Sequence, residues 1–234
     1  MVSRQVLRFI APPKAMFPLH DDNPTQQTAI VVYGLILVNV LVFFYQFSLG
    51  DRQLILWLRD WALIPQELTR QFNREWITLF SYQFLHGDLW HLLFNMWFLY
   101  VFGNNIEDRL GHGKFIVFYL LCGVTAAVAQ IMVSPTAMIP MVGASGSIAG
   151  LMGAYIVRFP RAKIYTLVFV GIFFTFLQIP AAVFLGIWFF FQTVYVAFSD
   201  PNQPGVAYLA HIGGFVAGVV LLLLIEHLFP KQEN

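Results

Sequence analysis

The 234 residues are 59% hydrophobic and 17% aromatic, with only 11% charged and a net charge of +1. Soluble domains carry about a quarter charged residues, so a water-facing surface around this chain is excluded, and the absence of like-charge runs excludes a nucleic-acid-binding tail. The length suits one domain of several membrane spans, and the lone Cys122 rules out an internal disulfide.

In chain order, residues 1–28 are fairly polar and read as an N-terminal cytoplasmic segment. The uncharged stretch 29–48 is longer than a signal-peptide core, and no small-residue cleavage pattern follows it. It reads as a retained first span rather than a cleaved leader. The loop 49–87 mixes Trp57, Trp61, Trp76 and several leucines with charges, an amphipathic composition that suits the membrane interface. A second span is expected at 89–106. The apolar stretch from Phe115 to Val157 must hold two more, because Pro135 and Pro140 interrupt it, giving helices near 115–134 and 145–158. Pro180 splits the next stretch, Ile164 to Ser199, and the last span covers about 206–225. The membrane domain is therefore placed at 29–228, with a short tail at 229–234. No internal repeat suggests a pseudo-symmetric transporter.

Positive charge sets the orientation. With six crossings, Arg4, Arg8, Lys14, Arg109, Lys114, Arg158, Arg161, Lys163 and Lys231 share one side. Arg52, Arg59, Arg70 and Arg74 lie on the other, balanced by Asp51, Asp60, Glu67 and Glu75. Both termini are then cytoplasmic. This parity lets only 181–198 cross, leaving 164–178 as a re-entrant or interfacial segment. The expected fold is an all-α membrane protein, a six-helix bundle with an amphipathic, membrane-associated first loop.

Polar groups inside spans are costly, so each is a candidate for function. His91 and Asn95 lie near the outer start of the second helix, Ser145 starts the fourth, and His211 lies a turn or two into the sixth. The fourth helix is only about 21 Å long at 1.5 Å per residue. In a ~30 Å hydrocarbon core its start sits roughly 10 Å below the outer surface, and His211 is roughly 9 Å down by the same rise. Gly146 and Gly150, with Gly214 and Gly218, have the small-xxx-small spacing that brings helices together. Ser145 is therefore a candidate nucleophile with His211 as its general base. His91 and Asn95, four apart on one helix face, join the unpaired N–H groups of a helix N-terminus as candidate oxyanion donors. No carboxylate is placed near His211, so a dyad without a third member is expected.

Several residues have plainer readings. A serine at a helix start is ordinarily a cap, and Ser147 stands where the soluble hydrolase elbow requires glycine. His86 and Asp88 read as structural, and with His91 they match no strong zinc spacing, so no metal is expected. Asn104 and Glu107 read as ties for the turn after the second span.

Together, Gly143-Ala-Ser-Gly146, Ala210-His-Ile-Gly-Gly-Phe-Val-Ala-Gly218, Phe84-Leu-His-Gly-Asp-Leu-Trp-His-Leu-Leu-Phe-Asn95 and Gly103-Asn-Asn-Ile-Glu-Asp-Arg-Leu-Gly111 resemble the signatures of rhomboid intramembrane serine proteases. The resemblance runs from the first span to Glu226. It implies peptide-bond hydrolysis in or beside the transmembrane segment of membrane-protein substrates, without a cofactor or metal. Ser145 would be the nucleophile, His211 the base, and His91 and Asn95 the oxyanion donors. Two positions depart from the family pattern: Ile77 follows Trp76 where many members have arginine, and Ala149 stands where some have a tyrosine stacked on the base. The alternatives are a catalytically silent relative that binds membrane clients and a small channel. The multi-pass chain is expected in a bacterial inner membrane.

Overall fold

A computed structural model describes residues 16–170, 172–199 and 205–229. Arg4, Arg8, Lys14 and Lys231, the first half of the 1–28 segment and all of the 229–234 tail after Phe229 lie outside the described residues. The chain order is β1 (Met16–Asp21), α1 (Ile30–Ser48), α2 (Asp51–Trp61), α3 (Pro65–Arg70), α4 (Phe72–Glu75), α5 (Thr78–Ser81), a 3₁₀ turn at Tyr82–Phe84, α6 (Leu89–Leu110), α7 (His112–Val133), α8 (Ser145–Arg158), β2 (Lys163–Val170), β3 (Phe173–Pro180), α9 (Ala181–Phe198) and α10 (Tyr208–Leu228).

Four helices, α1, α7, α9 and α10, are long and apolar enough to cross a membrane. Their outward side chains agree with lipid contact: Ile30, Leu37, Leu41 and Phe44 on α1 are all more than half exposed. The helix α6 is as long as α7 but ends in Glu107, Asp108 and Arg109. By contrast α8, with 14 residues, is buried without interruption from Gly146 to Tyr155. It is the inner helix of the bundle, packed by α6, α7 and α10.

Glycine is what allows this. A Cβ on Gly218 would run into the carbonyl oxygen of Gly150, and one on Gly214 into that of Gly146. The two pairs singled out by their spacing thus face each other across the α8–α10 seam, with Gly153 against the Phe215 carbonyl as a third close contact. The loop 49–87 breaks into the short helices α2 to α5, and it is stitched to the segment before α8 by the Leu63–Met141 bridge and by Gly143 N–H donating to Tyr82 O (2.9 Å).

The chain is not all-α. Residues 164–178 form most of a β-hairpin, and β1 adds to it in an antiparallel sheet of order β1-β2-β3. The β-branched and aromatic residues that dominate Lys163–Val170 and Phe173–Pro180 suit a pleated ribbon. The long uncharged run around them masks that signal behind simple hydrophobicity. The sheet lies along α6. Asn105 Nδ2 donates to Asp21 (2.7 Å), Trp97 Nε1–H donates to Pro18 O (2.6 Å), and Phe17 stacks on Trp97 at 5.6 Å and meets Phe94 edge-on at 6.0 Å. From Asn105 to Phe94 is about 16 Å of helix.

At that same end of the bundle Glu107 accepts from Val31 N–H (2.9 Å) and Val32 N–H (2.8 Å), capping α1, and meets His112 Nδ1 at 2.6 Å. Asn104 Oδ1 accepts from the Asn105 backbone N–H at 2.7 Å. These are the ties expected of Asn104 and Glu107.

Candidate active site

Ser145 opens α8 and His211 lies in the first turn of α10, each half-buried. The glycine contacts hold the two helices together at this level. His211 Nε2 stands 2.8 Å from Ser145 Oγ. The structure therefore brings together the two residues that depth counting placed in one layer.

The other ring nitrogen has a partner that the sequence reading did not foresee. His211 Nδ1 lies 2.8 Å from Gln192 Oε1 on α9. An amide oxygen can only accept, so Nδ1 carries the proton and Nε2 turns its lone pair toward the serine hydroxyl. Gln192 is buried to 5% exposure within a helix otherwise almost wholly apolar. A buried amide in a candidate span is the available signal, but the usual third member is a carboxylate. No tyrosine stacks from position 149. The Trp188 ring instead lies 5.9 Å from that of His211, tilted by 34°, and Tyr208 meets it edge-on at 6.4 Å.

His91 and Asn95 converge on the same place from α6. Asp88 caps that helix by accepting the His91 backbone N–H (2.9 Å), which fixes the rotation of its first turn. Gly87 N–H donates to His91 Nδ1 at 3.4 Å, leaving the proton on Nε2. That Nε2 would be 2.8 Å from a Cβ on Gly143, and Asn95 Nδ2 would be 3.7 Å away. Gly143 has φ +124, a conformation that only glycine takes without strain, and glycine alone leaves room for the imidazole. Two side-chain N–H donors thus meet the backbone just before Ser145. Asn95 Nδ2 is buried with no hydrogen-bond partner among the described residues, an expensive condition unless a ligand oxygen accepts from it.

Ser147 is tied into the packing of α8. Ser147 Oγ donates to Gln83 Oε1 (2.9 Å), and Gln83 Nε2 donates to Leu79 O (2.9 Å). His86 is buried, with its ring 5.1 Å from that of His91. No cluster of three metal-ligating side chains occurs among the described residues.

The family model for the rhomboid domain matches residues 73–227. Rhomboid protein 1, mitochondrial, of Saccharomyces cerevisiae is 28% identical over 236 residues, covering 95% of this chain and 59% of that protein. The rhomboid protease GlpG of Klebsiella pneumoniae is also 28% identical, over 193 residues, covering 81% of this chain and 60% of that protein. The chain thus spans about three fifths of the length of the curated relatives it matches.

Proposed function

Because this chain belongs to the rhomboid family, we propose that it is an intramembrane serine endopeptidase, hydrolysing a peptide bond in or near the transmembrane segment of membrane-protein substrates. The observation that carries the reading is the 2.8 Å pair of His211 Nε2 and Ser145 Oγ, with Gln192 on the far nitrogen. Six helices, α1 and α6 to α10, cross the bilayer in this reading. The membrane domain is 29–228, the termini are cytoplasmic, and the home is a bacterial inner membrane.

The chemistry follows from the geometry. Ser145 O–H donates to His211 Nε2, and as Oγ attacks the scissile carbonyl carbon its proton passes to that nitrogen. The imidazolium is held by Nδ1–H donating to Gln192. The carbonyl oxygen gains negative charge, which the Asn95 Nδ2 and His91 Nε2 donors and the unpaired backbone N–H groups at the start of α8 stabilise. His211 then gives its proton to the departing amine. An acyl-enzyme remains on Ser145, and water attacks it with His211 again as base. No metal or cofactor has a part in these steps.

The silent-relative alternative loses its attraction here, since a client-binding surface has no use for a serine and histidine held at hydrogen-bond distance. The test is labelling of purified protein by a fluorophosphonate. Wild type should label, and Ser145→Ala and His211→Ala should not. Labelling that persists in Ser145→Ala sinks the nucleophile assignment. Cleavage of a single-span substrate with small residues near its outer end should be lost in the same two variants.

A further inference from the structure

We infer that the outer edge of β3 is a docking strand for the substrate: it takes an extended, apolar segment of a membrane-protein client as a fourth strand of the sheet beside α6. This rests on the proteolytic reading above.

The sheet is anchored on only one side. β1 is fixed to α6 through Phe17, Pro18 and Asp21, β2 lies between, and β3 is the far edge. Among the described residues no strand pairs with that edge. Nor is either face of β3 covered. Phe174 and Phe176, which share one face, are both 63% exposed, while Phe173 and Leu177 on the other are 74% and 47% exposed. Between Lys163 and Ser199 there is no charge. Such a strand is poorly suited to water because of its phenylalanines. It is equally poorly suited to bare hydrocarbon, where unpaired N–H and C=O groups cost several kcal/mol each. An extended apolar peptide resolves both conflicts at once, since its backbone pairs with the edge and its alternate side chains pack on the exposed rings.

The client has the complementary need. A carbonyl inside a transmembrane helix is bonded to the N–H four residues on and shielded by its neighbours, so the helix must open before Ser145 can reach it. The opened residues lose their backbone partners in a medium that offers no water. A free strand edge in the same molecule supplies those partners.

Position connects the two. Phe17 pairs with Leu167 and touches Phe94, the neighbour of Asn95. The hairpin runs on three residues past Leu167, about 10 Å at 3.3 Å per residue. Its tip therefore reaches the layer of His91 and Asn95. At its other end β3 passes through Pro180 straight into α9, which carries Trp188 and Gln192 against His211. The free edge thus belongs to an element joined to both walls of the candidate site.

The test uses the full chain with Cys122→Ala and Ser145→Ala, carrying Phe176→Cys, in lipid vesicles. Its partner is a single-span test protein with an alanine/leucine membrane segment, small residues near its outer end and one cysteine moved residue by residue along it. Oxidative cross-linking should peak at every second client position, the period of a strand. A period of three to four, equal cross-linking everywhere, or none overturns the inference. So does a β3-to-β3 cross-link between two copies that forms without client and blocks it, which would make the edge a dimer contact. In parallel, Phe174→Ser/Phe176→Ser in the Ser145-intact chain should lower kcat/KM for the single-span protein about tenfold. Fluorophosphonate labelling should stay within about twofold of wild type, because a small probe needs no docking strand. Unchanged client cleavage overturns the docking role and leaves the serine reading intact, whereas failure of wild type to label strikes the serine reading itself.

Discussion

A neutral histidine is useful as a base only when its bare nitrogen faces the nucleophile. In this site the choice falls to one amide, for Gln192 Oε1 holds the proton on Nδ1. Gln192→Leu removes that acceptor, and the labelling rate should fall about tenfold, the kinetic equivalent of one neutral hydrogen bond. Gln192→Glu keeps an acceptor at the same reach and should recover most of the rate. In ¹⁵N-histidine-labelled protein the His211 resonance, assigned by its loss in His211→Ala, should report a proton on Nδ1 in wild type and a shift toward Nε2 in Gln192→Leu. An unchanged tautomer in the leucine variant would deny Gln192 its role.

The proposed oxyanion donors are separable from this. His91→Ala and Asn95→Ala should each lower kcat for the single-span test protein by about 10²–10³, while leaving Ser145 and His211 at bonding distance. Equal loss of thermal stability and activity in Asn95→Ala would instead mark it as a structural residue. The contrast also shows what was legible. His91, Asn95, Ser145 and His211 stood out as polar residues at helix starts, and the structure gathers them. Gln192 sits mid-helix among phenylalanines, and only the fold shows that α9 turns it toward His211.

At the scale of elements, two contacts tie α8 to its neighbours. The first is the α8–α10 seam. Gly218→Ala would press a methyl group into the Gly150 carbonyl, forcing the helices apart and lengthening the Ser145–His211 bond. Overpacking of this kind costs about 1–3 kcal/mol, so the thermal midpoint in detergent and the labelling rate should fall together. Gly34→Ala on α1, where an added Cβ meets nothing within 4 Å, should be neutral or stabilise by roughly 0.5–1 kcal/mol.

The second contact is Asp21, which receives hydrogen bonds from Asn105 on α6 and from the Tyr155 hydroxyl on α8. Burial raises its carboxyl above the ordinary 3.8, and the Tyr155 hydrogen bond pulls it back only in part. The folded state therefore holds a proton over a window above 3.8 in which the unfolded chain has released it. The stability from this group is complete below that window and declines as pH rises through it. Asp21→Asn keeps an acceptor and removes the titration, so its melting point should lose this pH slope. Asp21→Leu leaves the Tyr155 hydroxyl without an acceptor, while Asn105 Nδ2 keeps Asn104 Oδ1, and should cost about 1–3 kcal/mol. An Asn variant with the wild-type slope would locate the titrating group elsewhere.

For the whole molecule, length and hydropathy carried the bundle a long way. Expected helices at 29–48, 115–134 and 181–198 became Ile30–Ser48, His112–Val133 and Ala181–Phe198. The sheet escaped because strands are usually read from alternation, and a ribbon apolar on both faces shows none. Its third strand pairs Met16–Asp21 with residues far along the chain, which no local pattern reveals. That hairpin also bears on how often the chain crosses the bilayer. Strands of eight residues, folded back on each other and leading into α9, return the chain to the end of the bundle where α8 finished. So α9 starts from that same end, where Arg109 and Arg158 both meet Glu226, and the proposed charge parity requires the hairpin not to cross.

Single cysteines in a Cys122→Ala background test this with a membrane-impermeant maleimide on oriented vesicles. Asp60→Cys and Gly205→Cys should label from one face, and Gly113→Cys and Arg161→Cys from the other. Were 161 and 205 to label from the same face, the hairpin would count as a crossing. His211 would then enter from the side opposite Ser145, against the 2.8 Å that joins them. The topology experiment and the active-site geometry therefore stand or fall together.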